Sequence, residues 1–184
     1  MFIKSGSYHN PTWLAGKKTL NITGIVIAVC ENLPKNSELK INLKKSGAGF
    51  YLLLANSNPK TNFNISINHF AQKTKSILVS SLISKQPNEI NIRALVTLGP
   101  RANGSQTITE FHTLGENTEK ILQEPKLEIH STPQIAAHAT TAGHFDEKQL
   151  VYLSERGLPK DTAQRLLAAA FLDHWREKFF TLVK

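Results

Sequence analysis

LEIHSTPQIAAHATTAGHFDEKQLVYLSERGLPKDTAQRLLAAAF, Leu127–Phe171, is the stretch on which the reading of the whole chain turns. An extended, histidine-bearing segment runs here into an amphipathic helix, then a tight Arg156-Gly157 turn, then a second helix. Upstream of it the apolar residues recur every second position, and downstream they recur at helical spacing.

The helical half has local signals at each end. Asp146, followed three residues later by Gln149, resembles a capping box in which the carboxylate accepts orphan amide hydrogens. Leu150, Val151 and Leu153 supply an apolar stripe, and Gly157 fits the left-handed position that ends a helix. Pro159 suits the first turn of the next helix, with Asp161 near its positive end. Ala163, Leu166, Leu167, Ala170, Phe171, Trp175 and Phe179 then recur on one face. The aromatic end of that helix, WREKFFTLVK, suits either a core face or a binding groove.

From Leu20 to Phe145 the pattern predicts nine strands and no helix. Leu39, Ile41 and Leu43 alternate with Lys40, Asn42 and Lys44; Phe63, Ile65 and Ile67 alternate with Asn64, Ser66 and Asn68. Ile90, Ile92, Ala94, Val96 and Leu98 continue the habit, which marks strands with one buried face. Short breaks such as NSNPKTN, KQPN and PRANGSQ supply turn residues. Medium-sized inward aliphatics and a single Asn-Gly pair, Asn103-Gly104, favour a coiled parallel stack, with the helices after residue 145 capping one end. The pattern alone leaves a sandwich open. Residues 1–19 show no clear period and are expected to be a lead-in covering one end, which divides the chain at 20–145 and 146–184.

With 184 residues, 40% hydrophobic and 20% charged, the composition is that of an ordinary soluble domain. The longest apolar runs, Ile25–Cys30 and Phe50–Ala55, are too short to cross a membrane, and the first residues lack the apolar core of a secretory signal. One cysteine, Cys30, excludes an internal disulfide and fits a reducing compartment, so the expected location is cytoplasmic. The net charge of +8 is uneven: residues 1–60 hold eight Lys and two Glu. Those lysines alternate with apolar residues instead of clustering with arginines and aromatics, so they read as a solvated surface and not as a nucleic-acid site.

No phosphate loop, nucleophile elbow, HExxH or metal-binding cysteine pair is present. Parity in Ile135–His144 puts Ile135, Ala137 and Ala139 on one strand face, and Ala136, His138, Thr140 and His144 on the other. The same rule sets Glu128 and His130 against Leu127 and Ile129, so the local histidines are expected to point away from the aliphatic core. His130 and His144 read as exposed histidines, and Asp146 and Glu147 as capping groups. Cys30, inside GIVIAVC, reads as a buried inert thiol.

The quoted stretch is similar to the C-terminal signature of the SufB/SufD family, scaffold proteins of iron–sulfur cluster assembly. That pattern has an LEI strand, an xxHxAxxG segment, then D/E-x-x-Q-L-x-Y-L-x-x-RG-L/I and a further helix. It falls here on Leu127–Ile129, His138–Gly143, Asp146–Leu153, Arg156-Gly157-Leu158 and Ala163 onward. More loosely, the likeness extends from about residue 20 to 172, the strand region resembling the family's right-handed parallel β-helix core.

The resemblance implies a mainly β fold with a C-terminal helical segment and a non-catalytic role. It implies pairing with a SufB-like scaffold through the β-helix, and docking of a SufC-like ABC ATPase through the helices. Gln149, Tyr152, Leu153, Arg156, Gly157 and Phe171 are then candidates for the ATPase contact. His138 matches the interface histidine typical of SufD-type members, where SufB-type members usually carry Glu, and becomes the candidate for handling metal. SufD-type members often have Cys two residues earlier, where this chain has Ala136. No cofactor is therefore expected on the chain alone, with a cluster transient at the partner interface. The N-terminal helical portion of longer members is expected to be missing or reduced to residues 1–19. Rival readings are a β-helix acyltransferase or carbohydrate-active enzyme, and a homodimeric minimal scaffold. The first lacks the strict six-residue aliphatic repeat, the second lacks paired carboxylates on the strands, and the third lacks cysteines.

Overall fold

Two six-stranded parallel sheets face each other across one apolar interior. The computed structural model describes residues 1–57, 60–84, 89–115 and 120–184. Along the chain come β1 (Phe2–Ile3), β2 (Gly6–His9), a 3-10 turn (Thr12–Leu14), β3 (Gly16–Ile22) and β4 (Ile25–Cys30). There follow β5 (Asn36–Leu43), β6 (Gly49–Ser57), β7 (Thr61–His69), β8 (Lys75–Ser84), β9 (Ile90–Leu98) and β10 (Gln106–Gly115). The last elements are β11 (Ile121–Ile129), β12 (Ile135–Gly143), α1 (Glu147–Glu155) and α2 (Lys160–Val183).

The chain alternates between the sheets at every step. Odd strands stack in the order β1-β3-β5-β7-β9-β11, and even strands in the order β2-β4-β6-β8-β10-β12, every described pair parallel. This is a parallel β-helix, as the medium-sized inward aliphatics and the lack of hairpin turns suggested. Asn103-Gly104 joins parallel strands: Gly104 takes φ +68°, and its N–H bonds to Thr132 O in the next coil.

Register builds columns through the interior. Leu20, Ile41, Ile67, Val96 and Leu127 align in the odd sheet. Ala28, Leu52 and Leu78 align in the even sheet. Each added coil buries the apolar row of the one before and pairs its free edge, which is why the stack holds together without long-range loops.

Two expectations need correction. Ten strands, not nine, lie between Gly16 and Gly143, because the break between β3 and β4 is only Thr23-Gly24 and does not register as a turn in the pattern. Residues 1–19, expected over one end, lie at one end of the stack as β1, β2, the 3-10 turn and the start of β3. The helices do not cap an end. α2 lies along the outer face of the even sheet, where Phe179 is wholly buried among Tyr51, Leu53, Ile77 and Val79. Ala168 packs on Ile83 near the other end of β8, so α2 runs antiparallel to that strand. Phe179 of the aromatic end of α2 thus serves as core, while Phe180 is exposed. Among the described residues no helix is long and apolar enough to cross a membrane.

Candidate functional site

β12 closes the even sheet and has only β10 as a neighbour in it. No residue from Ile135 to Gly143 is fully buried. One edge of the strand therefore presents backbone N–H and C=O groups with no strand partner, a surface ready for a further strand. β11 ends the odd sheet beside it, also without a fully buried residue.

His138 sits mid-strand, exposed, and its ring makes no hydrogen bond or ion pair among the described residues. Its register partner is Thr109, which aligns with Leu78, Leu52 and Ala28. His138 therefore continues an interior column at the open end of the helix, and Ala136 and Thr140 share its side through Thr107 and Phe111. The expectation that these residues point away from the core is wrong for β12. Ile135, Ala137 and Ala139 instead continue the outer rows through Lys75, Ile77 and Val79. The pattern misled because α2 makes the outside of the even sheet apolar, so apolar character there does not distinguish inside from outside. For β11 the parity holds: Leu127 and Ile129 continue inward columns, and Glu128 faces out, accepting from Thr97 Oγ1 at 3.2 Å.

His130 lies in the turn before β12, exposed. His144, just past the strand, donates from Nδ1 to Gly115 O at 3.2 Å. Cys30 is buried, its thiol pushed up to about 11 by burial, which fits an inert side chain. Among the described residues no three His, Cys, Asp or Glu side chains converge on a point that would hold a metal ion.

The second region is the helical pair. Asp146 caps α1, accepting from Lys148 N–H at 2.9 Å. At the other end Gly157 takes φ +84°, Leu158 N–H bonds to Leu153 O at 3.1 Å, and Gly157 N–H bonds to Ser154 O at 2.9 Å. That pair of bonds is the Schellman motif, and it needs glycine at position 157. The turn brings α2 back against α1 and leaves an open groove of about 430 Å³ lined by Gln149, Tyr152, Leu153, Leu166, Leu167 and Ala170. Arg156 lies over the Tyr152 ring at 5.0 Å and fixes one rim. Of the candidates in this region, Gln149, Tyr152 and Leu153 share the groove, with Arg156 and Gly157 at its end. Phe171 does not join them; it turns toward the sheet and packs with Ile83, Leu114 and Phe145.

His112 was not singled out by any sequence signal. It is buried on the outer face of β10, its ring stacked on Trp175 of α2 with centroids 3.3 Å apart. Its Nδ1 is 2.7 Å from Thr141 Oγ1 on β12, and its Nε2 is 3.4 Å from Glu110, which also pairs with Lys178 at 2.9 Å. Burial lowers the basicity of His112, with Glu110 opposing. Only the knowledge that α2 covers this face would have marked it.

The model of the SUF-system iron–sulfur cluster assembly SufBD core domain matches residues 34–171. The chain belongs to the SufB/SufD family. The iron–sulfur cluster assembly protein SufB of Bacillus subtilis is 30% identical over 106 residues, 57% of this chain and 23% of that protein. An iron–sulfur cluster assembly SufBD family protein of Synechocystis is 22% identical over 126 residues, 68% of this chain and 26% of the relative. A SufBD family protein of Staphylococcus aureus is 29% identical over 108 residues, 57% and 23% of the two chains. This SufB/SufD-family chain thus spans about a quarter of the length of these relatives. The matched region runs from the end of the segment before β5 into α2, so it takes in both β12 and the α1–α2 groove.

Proposed function

We propose that this chain is a non-catalytic, SufD-like subunit of a cytoplasmic SufBCD-type complex, in which it pairs with a SufB-like scaffold and docks a SufC-like ABC ATPase. The observation that carries the reading is β12, an edge strand without a fully buried residue, bearing His138 at its centre. A partner strand laid along it would satisfy the free backbone groups and bring the partner's thiolates to His138. A neutral imidazole there supplies one borderline ligand to a cluster that is cargo, and the partner supplies the soft ones. Cys30 is buried inside the first coils and does not compete for that task.

The α1–α2 groove supports the ATPase contact: it is open, apolar and rimmed by Tyr152 and Arg156. The two regions are physically joined. Trp175 of α2 stacks on His112, and His112 bonds Thr141 three residues from His138. A shift of α2 on ATPase docking therefore has a direct mechanical route to the edge strand.

Co-expression of the full chain with SufB-like and SufC-like proteins tests the reading. Recovery of both with the tagged chain is expected, and recovery of neither would end it. Within the complex, His138→Ala should leave assembly intact and lower the yield of assembled cluster; an unchanged yield removes His138 from the site.

A further inference from the structure

The segments that join the strands form two long edges of the β-helix, and their charges differ sharply. On the edge leading from even to odd strands, the described residues Lys35, Lys60 and Lys120 are accompanied by Glu31 and Glu89. Described pairs there include Lys120 with Glu89 at 3.4 Å and His9 with Glu31 at 3.1 Å. The opposite edge, leading from odd to even strands, carries Lys4, Lys44, Lys45, Lys73 and Arg101 with His130, and no Asp or Glu at all. All five fixed cations are exposed, and none of their side chains has an ion pair or hydrogen bond among the described residues.

Structure on this edge is set in advance. Successive turns are bonded to one another: Phe70 N–H to Leu43 O, Gly99 N–H to His69 O, Lys73 N–H to Asn103 O and Gly104 N–H to Thr132 O. Between them lies an open groove of about 840 Å³ lined by Lys44, Phe70, Gln72, Pro100, Arg101 and Asn103. Phe70 is 45% exposed, an aromatic ring with cations at both ends of its groove. A fixed array of unpaired charge around an apolar contact binds an oppositely charged chain with little ordering cost.

We propose that this edge is a docking surface for an acidic segment of a partner protein, with Lys44 and Arg101 taking carboxylates and Phe70 taking an apolar side chain between them. Lys44 and Arg101 are two coils apart, which is about 10 Å at the spacing of neighbouring strands, and a peptide in the polyproline II conformation places carboxylates three residues apart on one side at about 9 Å. A nucleic acid fits less well, because four of the five fixed cations are lysines and a single aromatic ring offers no stacking row. The surface leads through His130 toward β12, so the partner would sit beside the strand that bears His138.

The test uses the full chain and two probes: a fluorescein-labelled peptide of repeating Glu-Glu-Leu triplets, and a labelled oligothymidylate of the same charge. The peptide should bind, weaken with salt, and lose at least about tenfold in affinity for Lys44→Glu/Arg101→Glu. Phe70→Ser should lose severalfold. Lys40→Glu/Lys160→Glu makes the same change of charge elsewhere and should leave binding as it was. Equal loss in both double variants, no loss in the first, or tighter binding of the oligothymidylate would overturn the proposal.

Discussion

The two sheets of this β-helix share one interior, one strand geometry and one register, yet they differ in what covers their outer faces. The odd sheet meets solvent. Its outward rows are polar but for Leu95, with Thr19, Lys40, Ser66, Leu95 and Lys126 in one and Asn21, Asn42, Asn68, Thr97 and Glu128 in another. Asn42 donates to Asn21 Oδ1 at 3.1 Å, and Asn68 donates to Asn42 Oδ1 at 3.2 Å, a side-chain ladder along the stack. The even sheet meets α2. β8, KSILVSSLIS, is buried at every residue except Lys75, on both faces. The same strand geometry therefore writes two sequence patterns, alternating where one face is wet and continuous where both are dry.

The difference can be sharpened by substitution, beginning where the effect is largest. Phe179→Ala empties the contact between α2 and the even sheet and should cost about 3–5 kcal/mol, read by urea unfolding. Loss of less than about 1 kcal/mol would show that α2 is not part of the core.

His69 reports on the interior that both sheets share. It is fully buried between Thr74 Oγ1 at 2.7 Å and Ser76 Oγ at 2.9 Å, and burial pushes its ring down from 6.5 to about 4. The folded protein keeps this imidazole neutral, while the unfolded chain takes up the proton first as pH falls. Its contribution is therefore complete above pH 6.5 and is lost between about 6.5 and 4, by roughly 3 kcal/mol at most. Urea midpoints measured at pH 7 and pH 5 should fall in that direction, and His69→Gln should flatten the dependence. Burial lowers His112 too, so it adds in the same sense where α2 lies on β10.

Smaller effects are expected where the helices attach. Asp146→Ala removes the cap of α1 and should cost about 1 kcal/mol, read as a drop in melting temperature. Smallest of all is the wet face. Arg93 and Glu124 pair at 3.1 Å, but both are more than a third exposed, so Arg93→Ala should leave the urea midpoint nearly unchanged. A larger loss there would mean that the odd sheet is covered after all.

The same contrast explains what was legible in the sequence. Strands such as Leu39–Leu43 and Phe63–Ile67 declared themselves because lysine, asparagine and serine marked their wet face. The ends of α1 declared themselves because capping chemistry is local: Asp146 and Gly157 act within a few residues of their own positions. In the even sheet apolar residues sit on both faces, and the pattern cannot say which is inside. That is why the pattern puts Ile135 in the core and His138 away from it, whereas register sets them the other way round. His112 was invisible for a related reason, since its partners Trp175 and Thr141 come from elements far along the chain. The basic edge was spread over five separate turns, so the uneven net charge showed only as a lysine-rich beginning.

The account rests on β12 as an edge that waits for a partner strand. Hydrogen exchange of the full chain, alone and with a SufB-like scaffold, tests this most directly. Amides of Ile135–Gly143 that face away from β10 should exchange quickly in the free chain and become strongly protected in the complex, while those of the odd sheet stay as they were. A complex that forms with β12 still exchanging as in the free chain would contradict the account.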